Sequence, residues 1–234
     1  MPGPDEARKR ALFDNEARLS WVLAALAGLI GAAAFMHTAG YFVTFMTGNT
    51  ERAILGHFHD QKDTAMAALG LLGSFVGGVV VASWCRRHYW SGHPHGPTLL
   101  TTLSLAVASI IDLARIQNAP DIDFVPILFV AFGVGALNTS FVKDGEVSVP
   151  LSYVTGTLVK LAQGIERHIS GGDYADWLGY FLLYLSFSLG ALLGGLLSML
   201  VAGWAMLITA TAVCLIVTGY TYLHLDRHGP LSHD

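Results

Sequence analysis

The sequence predicts an all-α membrane protein of about six transmembrane helices, arranged as two three-helix repeats. Three observations carry this. The composition is apolar, with 53% hydrophobic residues, 13% charged residues and a mean hydropathy of +0.52. A soluble domain carries about 25% charged residues. The charges are clustered, so several windows of about 20 residues are free of them, long enough for a helix to cross a bilayer. Finally, two short stretches spell nearly the same thing, one in each half. They are Phe45-Met46-Thr47-Gly48-Asn49-Thr50-Glu51-Arg52 and Tyr153-Val154-Thr155-Gly156-Thr157-Leu158-Val159-Lys160. Each follows one apolar segment and precedes another. Irregular backbone repeated inside membrane-type sequence is typical of small transporters.

The apolar segments run over residues 20–50, 64–85, 97–116, 124–142, 177–197 and 200–223. The boundary near residues 198–203 is the softest, because two helices turn there with few polar residues. The first segment is too long for one helix. A spanning helix, a bend at Gly40 or at Thr47-Gly48, and a short helix from about Gly48 fit it better. The second half repeats the plan: 124–142 spans, a polar stretch follows over 143–150, and 151–165 forms a short apolar helix. Such broken or re-entrant helices are tolerable at membrane depth only where protein or a water-filled cavity satisfies the backbone. Three spans per half make the repeat an inverted one; four would make it parallel, and three is the expectation.

The organisation that follows is a tail over 1–18, a first repeat over 19–116, a connection over 117–123, a second repeat over 124–224 and a tail over 225–234. Lys and Arg bias orients it. With the N-terminus inside, Arg8, Lys9, Arg10, Arg18, Arg86, Arg87, Lys143, Lys160, Arg167 and Arg227 face the cytoplasm. Only Arg52, Lys62 and Arg115 lie outside. Both termini are therefore expected in the cytoplasm, in a bacterial inner membrane. The first apolar segment is longer than a signal-peptide core and lacks a cleavage site.

The quoted motifs resemble a known family. Gly28 to Phe35 followed by Phe42–Thr50, and Gly135-Ala136-Leu137-Asn138 followed by Val147–Leu158, are similar to the two half-signatures of the YoaK-like small bacterial membrane proteins, a domain family of unknown function. The resemblance covers residues 19–223. It implies an integral inner-membrane protein with a suspected transport role. Members of that family carry an acid in the first helix in a Gly-x-x-Asp-Ala context. Here the matching position is Gly31, and its internal equivalent is Asn138. Proton coupling through that carboxylate is thereby placed in doubt.

Thr47, Gly48, Asn49 and Thr50, with Thr155, Gly156 and Thr157, are the candidate binding residues. A helix starting at the Gly aims free N–H groups and a positive dipole end at an anion or a polar solute. The competing reading is helix packing, which also uses small and hydroxyl residues. Arg52 and Lys160 occupy equivalent positions, where each contacts solute or snorkels to an interface. Asn138 contacts solute or caps the neighbouring broken helix. His37 is either a titrating gate or a satisfied interface residue. Asp112 and Arg115 have the spacing of a local ion pair.

Gly73 with Gly77, and Gly190 with Gly194, have small-x-x-x-small spacing for close crossings within one chain or between copies in a homo-oligomer. Phe75-Val76-Gly77-Gly78 matches Phe187-Ser188-Leu189-Gly190 in the other half. The loop histidines lack zinc-site spacing, and Cys85 and Cys214 show no disulfide or metal pattern. No metal and no cofactor is expected. No basic patch points to nucleic acid.

The function class expected is a secondary transporter or permease for a small polar or anionic solute, driven by a coupling ion or a partner, since no nucleotide-binding loop is present. The alternatives are a lipid-modifying membrane enzyme, for which no acid-base constellation stands out, and an accessory or scaffold protein. A non-enzyme is the expectation.

Overall fold

The computed structural model describes residues 12–38, 40–90, 93, 95–115, 121–143, 146–149 and 151–224. Most of the two expected tails, 1–18 and 225–234, lies outside the described residues, as does most of the 117–123 connection. Eight helices are present among the described residues: α1 Asn15–Met36, α2 Met46–Phe58, α3 Lys62–His88, α4 His95–Arg115, α5 Phe124–Leu137, α6 Val154–Ile169, α7 Ala175–Ser198 and α8 Gly203–His224. A two-residue antiparallel ladder, β1 Val142–Lys143 with β2 Glu146–Val147, follows α5. The polar 143–150 stretch did not announce this hairpin.

Five helices, α1, α3, α4, α7 and α8, are long and apolar enough to cross a bilayer. Four of them, α1, α3, α7 and α8, show little segregation of polar from apolar residues, which suits helices surrounded by lipid and other helices, while α4 buries Thr98, Thr101, Thr102, Ser109 and Asp112. Many large apolar side chains remain exposed, among them Val80, Ile110, Leu193 and Ile216. A soluble protein rarely leaves such patches uncovered. The chain is a helical membrane protein.

The three remaining helices are short. With 14 residues, α5 is about 21 Å long, against a hydrocarbon core of about 30 Å. Helix α5 stops at Leu137, short of the 142 expected, because Asn138, Thr139 and Ser140 turn their side chains onto the carbonyls of Val134, Ala136 and Leu137. By the same measure α2, with 13 residues, is about 20 Å long. Helix α6 is amphipathic, carrying Lys160, Gln163, Glu166 and Arg167.

The ends follow local chemistry. The Asp14 side chain accepts from Ala17 N at 2.8 Å and starts α1. Asp123 does the same for α5 at Phe124 N, 2.7 Å. Between α1 and α2 the backbone turns at Gly40, whose φ of +73° disfavours a side chain. Helix α7 ends at Ser198 and α8 begins at Gly203, where the sequence boundary was softest.

Packing comes in matched pairs. Helix α1 lies on α7, and α3 on α5. Helix α2 lies on α3, and α6 on α7. Helix α4 lies on α5, and α8 on α1, while α4 and α8 pack on each other. Exchanging α1–α4 with α5–α8 reproduces this scheme. The glycine contacts repeat it more finely. A Cβ at Gly28 would strike the Phe187 carbonyl, and one at Gly135 would strike the Phe75 carbonyl. A Cβ at Gly190 would strike the Ala25 carbonyl, and one at Gly78 the Phe132 carbonyl.

The α1–α7 crossing uses Gly190 and Gly194, as their spacing suggested. The α3–α5 crossing uses Gly78 instead of Gly73 and Gly77. Gly73 faces open space, and the nearest atoms to a Gly77 Cβ lie 3.9 Å away on the Phe132 ring. One residue of helical rotation separates the contact face from the motif.

Hydroxyls tie the other crossings. Thr101 Oγ1 donates to Gly133 O at 2.9 Å, Ser104 Oγ to Phe129 O at 2.7 Å and Ser74 Oγ to Leu128 O at 2.6 Å. Thr102 pairs with Thr218 and Ser109 with Thr211. Without a hydrophobic drive between helices in lipid, such bonds and close packing hold the bundle. The apolar core, including Leu23, Leu71, Leu105, Ile127, Val130 and Leu137, sits where these crossings meet.

Candidate functional site

Both Thr-Gly segments wall the same cavity. It has a volume of about 900 Å³ and is lined by α1 from Gly28 to Met36, the entry to α2 from Phe42 to Thr47, the entry to α6 from Ser152 to Gly156, Phe75 of α3, and Phe187, Ala191 and Gly195 of α7. Pockets of this size hold drug-sized molecules. Helices α2 and α6 both begin in its wall, and neither has a side-chain N-cap. Their first-turn N–H groups therefore lack the side-chain acceptor that usually satisfies one of them.

Each residue singled out from sequence can be placed. Thr47, Thr155 and Gly156 line the cavity. Gly156 has open space where a Cβ would point. Gly48, the next residue, is not part of the lining and packs against the Phe45 ring. Asn49 is fully buried: its Nδ2 donates to Phe42 O at 2.7 Å, and its Oδ1 has no partner. It clamps the chain entering α2. Thr157, its counterpart in α6, is also buried and donates to Tyr153 O at 3.2 Å. Thr50 donates to Met46 O within its own helix.

Neither of the two equivalent bases is among the residues lining the cavity. Arg52 donates from Nη1 to Gly40 O at 2.8 Å and lies 5.0 Å from the centre of the Phe42 ring. Lys160 sits 5.6 Å from the Tyr180 ring centre. Each is thus held over an aromatic face, a contact worth about 0.5–1 kcal/mol at exposed positions.

Asn138 is buried and joins the two ends of the irregular stretch. Its Oδ1 accepts from Ser152 N at 3.1 Å and from Ser152 Oγ at 3.0 Å, while Nδ2 donates to Val134 O at 2.9 Å. In the first half the corresponding pair is Gly31 and Thr44. A Cβ added at Gly31 would lie 2.8 Å from Thr44 Oγ1, so the threonine occupies the room a side chain at 31 would need.

Sequence reading passed over Thr44 and Ser152, although each precedes its Thr-Gly pair at the same interval. It also passed over the aromatic wall of Phe35, Phe42 and Phe45, in which Phe35 stacks on Phe42 and Phe42 meets Phe45 edge-on.

His37 caps α1 away from this wall. It is 7% exposed, and Nε2 has no hydrogen-bond partner. Burial pushes its pKa below the ordinary value, and Asp121 partly opposes that. Asp112 Oδ1 accepts from Asp123 N at 3.5 Å, while the Arg115 side chain of the expected ion pair lies outside the described residues. Arg86 donates to Thr139 O and Val142 O, both at 3.1 Å, and so ties the end of α3 to the turn after α5. Among the described residues no group of three His, Cys, Asp or Glu side chains is placed to hold a metal.

Comparison with known proteins agrees with the membrane architecture. Residues 19–220 match the model of a family described as a protein of unknown function, DUF1275. A UPF0700 transmembrane protein of Rhizobium meliloti (strain 1021) is 27% identical over 176 residues, covering 74% of this chain and 71% of that protein. No solved structure matches. The chain belongs to the DUF1275 family.

Proposed function

We propose that this membrane protein is a secondary transporter or permease for a small polar solute, with its site in the cavity between the two Thr-Gly segments. One observation carries the reading: segments from opposite halves of the chain, each opening a short helix, converge on one cavity. Sites at the interface of two repeats, built from discontinuous helices, are the usual plan of secondary transporters.

The matched packing pairs support an inverted repeat. With α5 counted as a thin sixth span and α2 and α6 as re-entrant, each half has three spans and the halves enter from opposite sides. The charge bias then puts both termini in the cytoplasm of a bacterial inner membrane. Opening and closing would exchange the roles of the α1–α7 and α3–α5 contacts. In this structure the Asn138–Ser152 bonds and the Arg86 bonds tie down the second-half end. The Gly31–Thr44 end lacks an equivalent amide.

Among the described residues the cavity wall presents no Asp, Glu, His, Lys, Arg or Cys side chain. Acid-base or nucleophilic catalysis needs such groups converging on a reacting atom. That favours a non-enzyme. The test is uptake into proteoliposomes of a labelled panel of nucleobases, carboxamides, carboxylates and amines. Uptake above protein-free vesicles by wild type, lost in Gly156→Leu, is expected. Product formation without vectorial uptake would favour the enzyme, and neither would leave a scaffold.

A further inference from the structure

We propose that the cavity takes an uncharged carboxamide or lactam-type solute whose carbonyl oxygen is received by Thr44. This rests on reading the cavity as a solute site and names the chemistry that the site selects.

The second half shows what the motif does when complete. The Asn138 carboxamide oxygen accepts from both the N–H and the hydroxyl of Ser152. Thr44 holds the corresponding place in the first half, facing Gly31 in place of an asparagine. Its N–H and hydroxyl meet no acceptor among the described residues, and it is half-buried in the cavity wall. A backbone N–H and a neighbouring hydroxyl left without an acceptor at membrane depth are costly. A neutral carbonyl entering the cavity supplies the acceptor that position 31 lacks.

Charge separates an amide from a carboxylate. Among the described residues no Lys, Arg or His side chain lines the cavity. Arg52 and Lys160 do not line it: Arg52 donates to Gly40 O and lies over the Phe42 ring, and Lys160 lies over the Tyr180 ring. A full charge buried without a partner is strongly disfavoured in the membrane. The rest of the solute meets Phe35, Phe42 and Phe45, which suits a flat apolar body.

The test is ligand-induced thermal stabilisation of the full chain in detergent, titrated with benzamide and uracil as neutral carbonyl probes and benzoate and benzylammonium as charged counterparts. Benzamide or uracil should raise the melting temperature of wild type, and the charged probes should not. Thr44→Val removes the hydroxyl at nearly constant shape and should weaken binding about fivefold, the loss of one hydrogen bond. Gly31→Asn pushes on Thr44, whose Oγ1 lies 2.8 Å from the new Cβ, supplies an amide oxygen internally and should abolish binding. Should Gly31→Asn fail to fold, Thr44→Val decides.

Benzoate acting as well as benzamide, no neutral probe acting, or Thr44→Val binding like wild type would each overturn the proposal. So would a co-purified phospholipid, seen by native mass spectrometry, that benzamide does not displace. Thr44-dependent amide binding without uptake into liposomes would keep this site and remove the transporter reading. Uptake of a carboxylate without amide binding would do the reverse.

Discussion

Replacing Asn138 with Leu separates the two halves of the motif energetically. The side chain is 1% exposed, and it accepts twice from Ser152, itself 7% exposed. Leucine keeps the branched outline with two bulkier methyl groups, whose overpacking adds to the cost, and removes the acceptor. The Ser152 hydroxyl can rotate to another acceptor, but its backbone N–H cannot. A stranded buried N–H costs about 1–3 kcal/mol, and an interhelical hydrogen bond in a membrane protein is worth about 0.6 kcal/mol on average. The added apolar burial of leucine offsets part of this, leaving a loss of about 2 kcal/mol. For a chain of this size each kcal/mol moves the melting temperature by about 2–4 °C. Asn138→Leu should therefore melt about 4–8 °C below wild type in detergent. Thr44→Val, at the corresponding place in the first half, has no protein hydrogen bond to lose and should fall within about 2 °C, the size of effect expected away from special features. Adding Ser152→Ala to Asn138→Leu should recover little, because the stranded N–H remains. Equal melting of Asn138→Leu and wild type would refute the clamp. An equal fall in Thr44→Val would refute the asymmetry between the halves.

Three further outcomes are expected. Gly78→Ala drives a methyl into the Phe132 carbonyl and should cost about 1–3 kcal/mol in thermal stability, whereas Gly77→Ala, with 3.9 Å to spare, should be neutral; similar melting of the two would contradict the α3–α5 crossing. Arg86→Gln releases Thr139 O and Val142 O and should increase protease cleavage in the hairpin after α5; unchanged cleavage would remove its tying role. His37 is held below its ordinary pKa of 6.5 by burial, so below that value the unfolded chain binds the proton more readily and acid destabilises the fold. Wild type should lose melting temperature between pH 7 and pH 5.5 (a range set by the ordinary histidine pKa), and His37→Gln should lose less; equal losses would clear His37.

Much of the architecture was legible because membrane sequence repeats a simple pattern. Apolar length located the five long spans, and the repeated Thr-Gly stretch located both short helices. Length alone misjudged α5: residues 124–142 are continuously apolar or small, yet Asn138, Thr139 and Ser140 fold back on their own carbonyls and stop the helix. Spacing found Gly190 and Gly194 but chose Gly73 and Gly77 where Gly78 makes the contact, since a motif does not fix helical rotation. At the site, Thr47, Thr155 and Gly156 were visible as parts of a repeat. Thr44 and Ser152 were not, because a hydroxyl before a helix break is ordinary until its partner across space is known. Arg52 and Lys160 were visible as equivalents, but which way a long side chain turns is decided by Phe42 and Tyr180.

The most direct measurement is proteoliposome uptake of the labelled solute panel by wild type, Gly156→Leu and Gly77→Ala at matched incorporation and melting temperature. Gly156 faces open cavity, so a leucine there narrows the solute space without meeting backbone. The account predicts uptake by wild type and Gly77→Ala, with loss in Gly156→Leu. Uptake by a well-folded Gly156→Leu at the wild-type rate would contradict it.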